Sequence, residues 1–250
     1  MKTNSAQYTA LASWYDVFVG VDYTAIADFI DKTVKHLMPE AELVLDLACG
    51  TGNLTLKLAG MGYDMTGIDI SSEMLSCAIA KRARGKRILW LNQDIRSFEL
   101  YGTVDVAVCV LDSINYLCSI EDVRECFAHV RNYLNPNGLF IFDCNTRYKF
   151  ENLLDGRVYN YEKDGVFCSW ESSFAGKSGI CRHTLNFFNR RIDGNYSRST
   201  EQQTQKYYSR RTIKQLLSEN SLDIIDIYPN YSFEQLSERD ERICFVTRKK

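Results

Sequence analysis

Two glycines, Gly50 and Gly52, are the first residues whose types and spacing suggest ligand chemistry. They follow an apolar run at residues 43–47, and apolar residues at helical spacing begin after Asn53. Glycine adopts positive φ angles at little steric cost and lets a ligand approach the backbone closely. The helix that follows would offer unpaired N–H groups and the positive end of its dipole to that ligand. The pattern of strand, glycine turn and helix therefore predicts a binding site where the helix begins.

An acidic residue, Asp69, ends the second predicted strand, residues 64–69. It lies nineteen residues after Gly50, a spacing at which a carboxylate accepts hydrogen bonds from ribose hydroxyls after a glycine turn. The alternative is a structural role, because Asp69 or Ser71 could cap the helix that follows. Nicotinamide dinucleotide enzymes use the same acid, but Thr55 stands where their third glycine would be. The acid alone does not separate the two classes of cofactor.

The complete string of residues 43–53, LVLDLACGTGN, resembles motif I of the class I S-adenosylmethionine (SAM) methyltransferases. Ala48 stands in place of that motif's first glycine, and Cys49 is an ordinary variant. SAM has no pyrophosphate, so the turn needs to cradle only the methionine part and the ribose. The resemblance implies S-adenosyl-L-methionine as the cofactor and methyl transfer as the reaction, with S-adenosylhomocysteine (SAH) as a product.

Two further motifs support this resemblance and distinguish SAM from a dinucleotide. A third predicted strand, residues 88–92, leads into Asp94 and Ile95. In this family an acid at that place accepts a hydrogen bond from the adenine amine, and the next residue's backbone meets the ring. A fourth predicted strand, residues 104–111, leads into residues 112–117, DSINYL, which are similar to the family's segment there. The motifs lie in the family's order and at its spacing.

Strands and helices alternate along the chain, which predicts a parallel sheet with helices on both faces. The resemblance, close over residues 8–145, implies an α/β, Rossmann-like fold with a seven-stranded, mostly parallel sheet and a small antiparallel β insert. We expect a SAM-binding core with an N-terminal helical lid, the insert, and the completion of the core sheet in residues 1–145, 146–208 and 209–250, respectively. The pattern also predicts helices 23–37, 53–60, 72–83 and 120–134 and a strand at 138–144.

Three runs rich in β-forming residues predict the insert, residues 166–174, 180–190 and 195–208. The dipeptide Asp193-Gly194 between the last two runs signals a hairpin. We expect about three strands that cover the carboxyl edge of the main sheet, where an acceptor would bind. The alternative is a dimer face. The two roles are compatible, so a homodimer through the insert is considered as well.

The N-terminal string Y-x-x-L-A-x-x-Y-D-x-F, residues 8–18, is similar to the opening of many small-molecule methyltransferases. In those proteins the segment covers the cofactor, and a tyrosine contacts its methionine end or the acceptor. Tyr8 and Tyr15 are therefore expected to touch SAM or the acceptor. The alternative is an amphipathic helix that packs one face on the core, because apolar residues recur at spacings of three and four.

The cofactor site that the resemblance implies draws on the motifs and on the lid. Asp69 would bind the ribose, Asp94 would bind the adenine amine, and the glycine turn would cradle the methionine part. The residues expected to contact SAM are Tyr15, Asp46, Ala48, Cys49, Gly50, Gly52, Asn53, Asp69, Ile70, Met74, Asp94, Ile95 and Leu111.

Methyl transfer from SAM makes modest demands on catalytic side chains. The methyl group is already an electrophile, so the protein must mainly align a nucleophile with it and exclude water. A general base is optional, because an amine acceptor need only arrive unprotonated, whereas a hydroxyl needs help. The catalytic candidates are Tyr116 and Asp112 after strand four and His183 in the insert, for which a packed structural histidine is the alternative. Further acceptor-side candidates are Asn115, Asp143, Asn145 and Arg147.

One position of the insert departs from related sequences. Those sequences often carry a histidine near the position of Gln203, after an acid such as Glu201. Glutamine stands at that position here. If the histidine takes part in the chemistry of the relatives, the acceptor chemistry of this chain differs from theirs.

Composition and charge exclude several classes of function. The chain has 250 residues, 45% of them apolar, and a net charge of −2. That charge disfavours a nucleic-acid acceptor, since such proteins need a basic surface, and a small-molecule acceptor is expected instead. No apolar stretch is long enough to span a membrane, and the first ten residues lack a long apolar core. We therefore expect a cytoplasmic protein without membrane contact.

The cysteines and histidines do not suggest a metal site. Nine cysteines occur without any C-x-x-C pattern, which indicates reduced cysteines used as small apolar residues. Only three histidines are present, and no further acids in register accompany Asp143, so no metal is expected. Two other functions stay open, an enzyme that modifies SAM itself and a non-catalytic SAM-binding protein. Turnover distinguishes them, because only methyl transfer accumulates SAH when an acceptor is present.

Overall fold

The computed structural model describes Asp16, residues 20–81 and residues 87–250, and this part of the chain contains eleven strands in two sheets. The strands are β1 (Leu43–Leu47), β2 (Asp64–Asp69), β3 (Leu89–Asn92), β4 (Val104–Cys109), β5 (Leu134–Asn145), β6 (Val158–Lys163), β7 (Val166–Ala175), β8 (Ile180–Arg190), β9 (Tyr196–Lys206), β10 (Leu222–Pro229) and β11 (Arg242–Lys249). Seven of these strands form the central sheet and four form the second sheet.

The central sheet has the strand order β3-β2-β1-β4-β5-β11-β10. Its strands run parallel except β11, which is antiparallel to both of its neighbours. This topology confirms the predicted seven-stranded, mostly parallel, Rossmann-like sheet. The chain proceeds from β1 to one edge through β2 and β3 and then returns to the other side of β1 with β4. Ligands bind at such a switch point, beyond the carboxyl ends of the strands.

Helices cover both faces of the central sheet. They are α1 (Tyr23–Leu37), α2 (Asn53–Gly60), α3 (Ser72–Ala80), α4 (Ile120–Tyr133) and α5 (Arg210–Glu219). Helices α1 and α2 contribute to one apolar core, and α4 and α5 contribute to the core on the other face. Helix α3 ends at Ala80 and not at residue 83, because Lys81 has an extended backbone. No helix in the described ranges is long and apolar enough to cross a membrane.

The middle of β5 shows how the central sheet forms the core. Residues 139–142, LFIF, are all fully buried, because β5 lies between β4 and β11 and helices cover both of its faces. A continuous apolar run is typical of such a strand. The strand begins at Leu134, upstream of the predicted residue 138, with an irregular register against β4.

The insert forms a four-stranded antiparallel sheet in the order β6-β7-β8-β9, so the expectation of about three strands is wrong by one strand. The additional strand, β6, has the largely polar sequence VYNYEK and is mostly exposed. It turns into β7 through Asp164 and Gly165, whose φ angles of 52° and 79° are positive as in a type I′ hairpin. The hairpin predicted at Asp193-Gly194 joins β8 to β9.

One face of the second sheet lies against the carboxyl ends of β4 and β5. Asn115, in the turn after β4, donates a hydrogen bond to the Lys206 carbonyl of β9 at 2.8 Å. Phe150, in the π-helical turn Lys149–Leu154 after β5, stacks on Phe174 of β7 with 5.2 Å between ring centroids. These contacts fix the second sheet over the edge where the candidate site lies.

Candidate functional site

The turn after β1 is sharply curved because three alternate residues have positive φ angles. Ala48, Gly50 and Gly52 have φ angles of 55°, 55° and 76°. The Cys49 N–H donates to the Ile68 carbonyl of β2 at 2.9 Å, so the turn stays attached to the sheet. The left-handed conformation costs Ala48 about 1–2 kcal/mol, since its Cβ lies close to a carbonyl oxygen. The turn therefore keeps its shape even where the motif's first glycine is replaced.

The two glycines of the turn leave room for different neighbours. A Cβ atom on Gly50 would meet no described atom within 4 Å, so the space above this residue is open to a ligand. A Cβ atom on Gly52 would lie 2.5 Å from Trp90 Cη2 and 2.9 Å from Ala78 Cβ. The absence of a side chain at Gly52 is therefore required by the packing of Trp90 from β3. The predicted contact of Gly52 with SAM stays a prediction.

Gly67 of β2 packs against the same indole ring, and this contact can be tested. A Cβ atom on Gly67 would lie 2.6 Å from Trp90 Cζ3. We expect Gly67→Ala to lower the free energy of unfolding, measured with urea, by about 2–3 kcal/mol, because overpacking a filled site forces its neighbours to move. Trp90→Leu removes the clash, so the double variant should lose less than the sum of the two single losses. Additive losses would contradict the proposed contact.

Asp69 connects the end of β2 to the glycine turn. Its Oδ2 accepts a hydrogen bond from the Gly50 N–H and its Oδ1 accepts one from the Ser71 N–H, both at 2.8 Å. Burial raises the pKa of this carboxyl, while the amide hydrogen bonds oppose the rise. Ser71, and not Asp69, caps α3, because its Oγ accepts from the Met74 N–H. A carboxylate has about four lone-pair sites, so these hydrogen bonds leave Asp69 capacity to accept from a ligand.

Asp46, near the end of β1, is incompletely satisfied within the protein. Thr55 Oγ1 donates to Asp46 Oδ2 at 2.5 Å, whereas Asp46 Oδ1 is buried and accepts no hydrogen bond from a described residue. Burial raises the pKa of Asp46 to about 7, and the negative charge of Asp69 adds to the rise. Thr55, which replaces the third glycine of a dinucleotide motif, therefore holds the Asp46 carboxyl in place through a hydrogen bond.

Asp46→Asn is expected to remove a pH-dependent loss of folding stability. The pKa of Asp46 is about 7 in the folded protein and about 4 in an unfolded chain. Between these values only the folded state holds the proton, so this group lowers the stability as the pH rises through that window. The free energy of unfolding of the variant, relative to that of the native protein, should rise by about 2–3 kcal/mol from pH 5 to pH 8. Urea denaturation at both pH values measures it, and a constant difference would contradict the raised pKa.

Asp94 is held by Arg96, a pairing that the motif does not predict. Arg96 Nε and Nη2 lie 3.0 and 2.5 Å from Asp94 Oδ2, and Arg96 Nη1 donates to Asp122 of α4 at 3.0 Å. Burial raises the pKa of Asp94, but the hydrogen bonds from Arg96 outweigh it and keep the pKa below its ordinary value. Asp94 thus stabilises the turn that contains Ile95 through its hydrogen bonds with Arg96. Its contact with adenine stays a prediction.

The remaining predicted cofactor residues differ in exposure. Ile70, directly after β2, is 39% exposed, whereas Met74 in α3 is 2% exposed. Leu111, after β4, is partly buried against the apolar core that includes α1. The structure therefore places Ile70 at the surface beside the turn and packs Met74 inward. The expected contacts of Tyr8 and Tyr15 lie outside the described residues.

Asp16 links the N-terminal segment to the glycine turn. Its Oδ1 accepts from Thr51 Oγ1 at 2.6 Å and from Asn53 Nδ2 at 2.7 Å. Lys81 Nζ donates to Asp16 Oδ2 at 2.6 Å and also to Asn53 Oδ1 at 2.8 Å. The side chain of Asn53 therefore serves this network, and its predicted contact with SAM stays a prediction. The pattern Y-D-x-F in the sequence was the available signal for Asp16.

Asp143, near the end of β5, holds the backbone that follows β4. Its Oδ2 accepts from the Leu111 N–H at 2.7 Å and its Oδ1 accepts from the Asp112 N–H at 2.5 Å. Leu111 and Asp112 have φ angles of 57° and 55°, so β4 ends at Cys109 and not at residue 111. Burial raises the pKa of Asp143 to about 6, although Arg242 opposes the rise. Asp143 is therefore a positioning residue for this loop.

Arg242, the first residue of β11, connects the two acids. Its guanidinium donates to Asp112 Oδ1, and its Nε lies 3.4 Å from Asp143 Oδ1. The guanidinium also lies 5.9 Å from the ring centroid of Tyr231, whose hydroxyl accepts from the Leu111 N–H at 3.0 Å. No local sequence pattern indicates Arg242, because it lies 130 residues from Asp112 in the chain.

Tyr116, in the short 3₁₀ helix Ser113–Tyr116, reaches the second sheet. Its hydroxyl donates to Gln203 Oε1 at 3.0 Å, and Gln203 Nε2 donates to Glu201 Oε1 at 2.6 Å. Gln203 and Glu201 are both buried. The phenol proton of Tyr116 is therefore directed at Gln203. The glutamine that departs from related inserts therefore contacts a predicted catalytic residue directly.

His183 in β8 is buried and uses both ring nitrogens within the protein. Its Nδ1 lies 3.2 Å from Trp170 Nε1 and 2.8 Å from Ser172 Oγ, and its Nε2 lies 3.4 Å from Gln205 Oε1. Trp170 can only donate, so the network assigns the His183 proton to Nε2. Burial also lowers the pKa of His183. Since Gln205 donates to Asp112 at 2.5 Å, this geometry favours a positioning role for His183 over the predicted role as a base.

Two of the other acceptor-side candidates join the same network. Asn115 and Asn145 are buried, and the Asn145 N–H donates to Asn115 Oδ1 at 2.9 Å. Asn145 Nδ2 lies 3.4 Å from Gln205 Oε1. Arg147 instead pairs with Glu151 on the surface at 2.7 Å. Across the described ranges, no group of three or more histidine, cysteine, aspartate or glutamate side chains is arranged to hold a metal ion.

Comparisons with known proteins place this site in a family. The methyltransferase domain family matches residues 44–138, which contain the glycine turn and the loop after β4. A protein of Geobacillus sp. strain WCH70, named as a methyltransferase without a stated acceptor, is 31% identical over 97% of this chain and 99% of its own length. The crystal structure of a SAM-dependent methyltransferase from Clostridium acetobutylicum ATCC 824 superposes with a TM-score of 0.87, at 33% identity over 97% of this chain and 98% of that one. This chain is a class I SAM-dependent methyltransferase.

Membership of the class I SAM-dependent methyltransferase family identifies the cofactor of this methyltransferase. SAM is the cofactor, and the dinucleotide alternative raised by the glycine turn is wrong. A further relative, the glycine/sarcosine N-methyltransferase of Halorhodospira halochloris, is 31% identical over 50% of this chain and 49% of its own length. The similarity to that relative covers only about half of each chain, so it does not establish the acceptor of this methyltransferase.

Proposed function

We propose that this methyltransferase transfers the methyl group of SAM to the amine of a small molecule and releases SAH. The similarity to the glycine/sarcosine N-methyltransferase supports a small amine acceptor. The net charge of −2 agrees with a small-molecule acceptor, because nucleic-acid acceptors need a basic binding surface. When bound, SAM supplies a methyl group that its sulfonium makes electrophilic. The residues of the chain then have to bind the two reactants, align them and exclude water.

Features of the turn fit the cofactor. The space above Gly50 is open, and Asp69 has lone pairs available for ribose hydroxyls after accepting from two amides. Asp46 Oδ1 is a buried acceptor at the base of the turn, and a donor on the bound cofactor, such as its ammonium group, would satisfy it. Asp94 and Ile95 are the proposed adenine contacts. These residues form the cofactor half of the proposed site.

The absence of a placed base among the described residues supports an amine acceptor. Tyr116 donates its hydroxyl hydrogen to Gln203, and both ring nitrogens of His183 are engaged. Both carboxylate oxygens of Asp112 accept hydrogen bonds from neighbouring side chains. A hydroxyl acceptor needs a base, whereas a neutral amine attacks with its own lone pair. The described acceptor side therefore suits nitrogen better than oxygen.

The charges near the loop after β4 also suit this reaction. The acceptor nitrogen becomes positively charged as the C–N bond forms and the C–S bond breaks, and it then loses a proton to water. Asp112 and Asp143 share the single guanidinium of Arg242, so this cluster is net negative when both acids are ionised. Fixed negative charge stabilises the positive charge that develops on nitrogen. Tyr116 would accept a hydrogen bond from an N–H of the acceptor.

Calorimetric titration with SAM and SAH, with NAD as the control, tests the cofactor half of the site. We expect micromolar binding of SAM and SAH and no binding of NAD. SAH formation is then measured with amines and with alcohols of the same carbon skeleton, and only the amines should react. Turnover of the alcohols alone would overturn the nitrogen assignment. An altered SAM in the absence of any acceptor, or SAM binding without any turnover, would favour the two alternative functions.

A homodimer through the second sheet and a cytoplasmic location are expected from the sequence and stay predictions. Light scattering of the purified protein measures the first, and fractionation of the source cells measures the second. The acceptor side described above is built from residues of one chain. A monomer in solution would therefore leave the proposed reaction unchanged.

A further inference from the structure

Lys149 is a half-buried lysine beside the polar network of the acceptor side. It begins the π-helical turn Lys149–Leu154 after β5. Its ammonium donates to Asn145 Oδ1 at 3.1 Å, and Asn145 in turn lies 3.4 Å from Gln205. Within the described residues, Lys149 forms no ion pair with a carboxylate. An ammonium has three N–H donors, and among the described residues this one uses a single neutral acceptor, so it has donors left for a ligand.

The backbone at Lys149 is fixed on both sides. Its N–H donates to Thr146 Oγ1 at 3.2 Å, and Thr146 Oγ1 donates to the Asp240 carbonyl at 2.6 Å. The next residue, Phe150, is fully buried and stacks on Phe174 of the second sheet. The backbone is therefore fixed, and the hydrogen bond to Asn145 Oδ1 holds the ammonium before any ligand arrives, which lowers the entropy cost of binding one.

Charges on the acceptor side form two poles that are not joined by an ion pair among the described residues. Asp112 and Asp143 share Arg242, which makes the first pole net negative. Lys149 is the second, positive pole. Burial lowers the pKa of Lys149 and the charge of Arg242 adds to this shift, whereas the charges of Asp112, Glu241 and Asp143 oppose it. A molecule that carries both an amine and an anion would match the two poles.

We propose that Lys149 binds a carboxylate or a phosphate of the amine acceptor and thereby selects anionic amines. The amine would then lie near Asp112 and Tyr116, and the anion would lie at Lys149. This inference rests on the proposed transfer to an amine and narrows the class of acceptor. A purely structural lysine would only brace Asn145, and it would not discriminate between charged and neutral acceptors.

The test compares SAH formation with three amines of similar length, 3-aminopropanoate, 2-aminoethylphosphonate and 3-aminopropanamide. In the native protein, kcat/KM for at least one anionic amine should exceed that for the neutral amide by about 30-fold, as expected for a charge-assisted hydrogen bond. Lys149→Met should reduce this ratio to less than about threefold, and Lys149→Arg should restore most of it. The better of the two anionic amines distinguishes a carboxylate from a phosphate. Lys214→Met, on the exposed side of α5, is the matched control and should keep the native ratio.

Failure of this inference is distinguishable from failure of the proposed function. Equal rates with all three amines, or an unchanged ratio in Lys149→Met, would overturn the role of Lys149 and leave amine transfer standing. If no amine yields SAH, the complex with SAH is titrated with 3-aminopropanoate and with inorganic phosphate. If either ligand binds and Lys149→Met abolishes that binding, the anion site is supported. Only the proposed transfer to an amine is then contradicted. No binding of either would overturn both.

Discussion

Asp69→Ala is expected to weaken SAM binding by at least about 100-fold, because the substitution removes two kinds of contact at once. The carboxylate is the proposed partner of the ribose hydroxyls, and it also accepts from the Gly50 and Ser71 amides at 2.8 Å. Hydrogen bonds to a charged group are worth about 1.5–3 kcal/mol each, and every 1.4 kcal/mol is about tenfold in affinity. Calorimetric titration with SAM measures the loss.

Asp69→Asn and Asp94→Ala are the matched comparisons. The asparagine keeps one acceptor oxygen for a backbone amide, so we expect it to retain more affinity than Asp69→Ala. Asp94→Ala should cost about tenfold, less than Asp69→Ala, because Arg96 already shares that carboxylate. If Asp69→Ala and Asp94→Ala both keep the native affinity, the proposed cofactor half of the site is wrong.

Asp143→Ala is expected to abolish turnover and to lower the free energy of unfolding by about 3–5 kcal/mol. The variant would leave the Asp112 amide without its carboxylate acceptor, would leave the Leu111 amide with the Tyr231 hydroxyl alone, and would remove one of the two acids that share Arg242. Leu111 and Asp112 have positive φ angles, and this backbone is unfavourable unless its surroundings fix it. The loop after β4 should then relax away from the position that the acceptor side requires.

Urea denaturation and SAH formation measure the two parts of this prediction. Asp223→Ala is the control, because Asp223 is exposed and, among the described residues, its ion pair is with Lys250 on the surface. Exposed pairs contribute about 0–1 kcal/mol, so the control should keep both stability and turnover. Native turnover in a folded Asp143→Ala protein would show that the acceptor side does not depend on this loop geometry.

The glycine turn and its hydrogen bond to Asp69 could be predicted because their parts are local in sequence. Residues 43–53 contain a strand, a turn and the start of a helix, and each follows from apolar spacing and from glycine. The contact between Gly50 and Asp69 joins neighbouring parallel strands, so the sheet topology alone brings the two residues together. The parallel sheet itself follows from the alternation of strands and helices. The packing of Trp90 on Gly52 could not be foreseen, because it depends on which side chain fills the space between α2, α3 and the sheet.

The acceptor half was only partly predictable because its contacts join distant parts of the chain. Asp112 and Tyr116 follow a recognisable strand, but Arg242 and Gln205 reach Asp112 across 130 and 93 residues. A single arginine or glutamine in a strand has no local signature of such a contact. The first strand of the insert was missed for a different reason, since β6 is exposed and polar and therefore lacks the apolar alternation that marks a half-buried strand. Its Asp164-Gly165 turn was the signal that could have revealed it.

Strand β9 makes the choice of acceptor separable from the binding of cofactor. Glu201, Gln203 and Gln205 occupy alternate positions and so share one face of this strand, and β9 is an edge strand of the second sheet. Substitutions at these three positions would reshape one wall of the acceptor side without altering any hydrogen bond among β1, β2 and β3. Substitutions on this strand, whether engineered or natural, can therefore change the acceptor while the residues proposed to bind SAM stay the same.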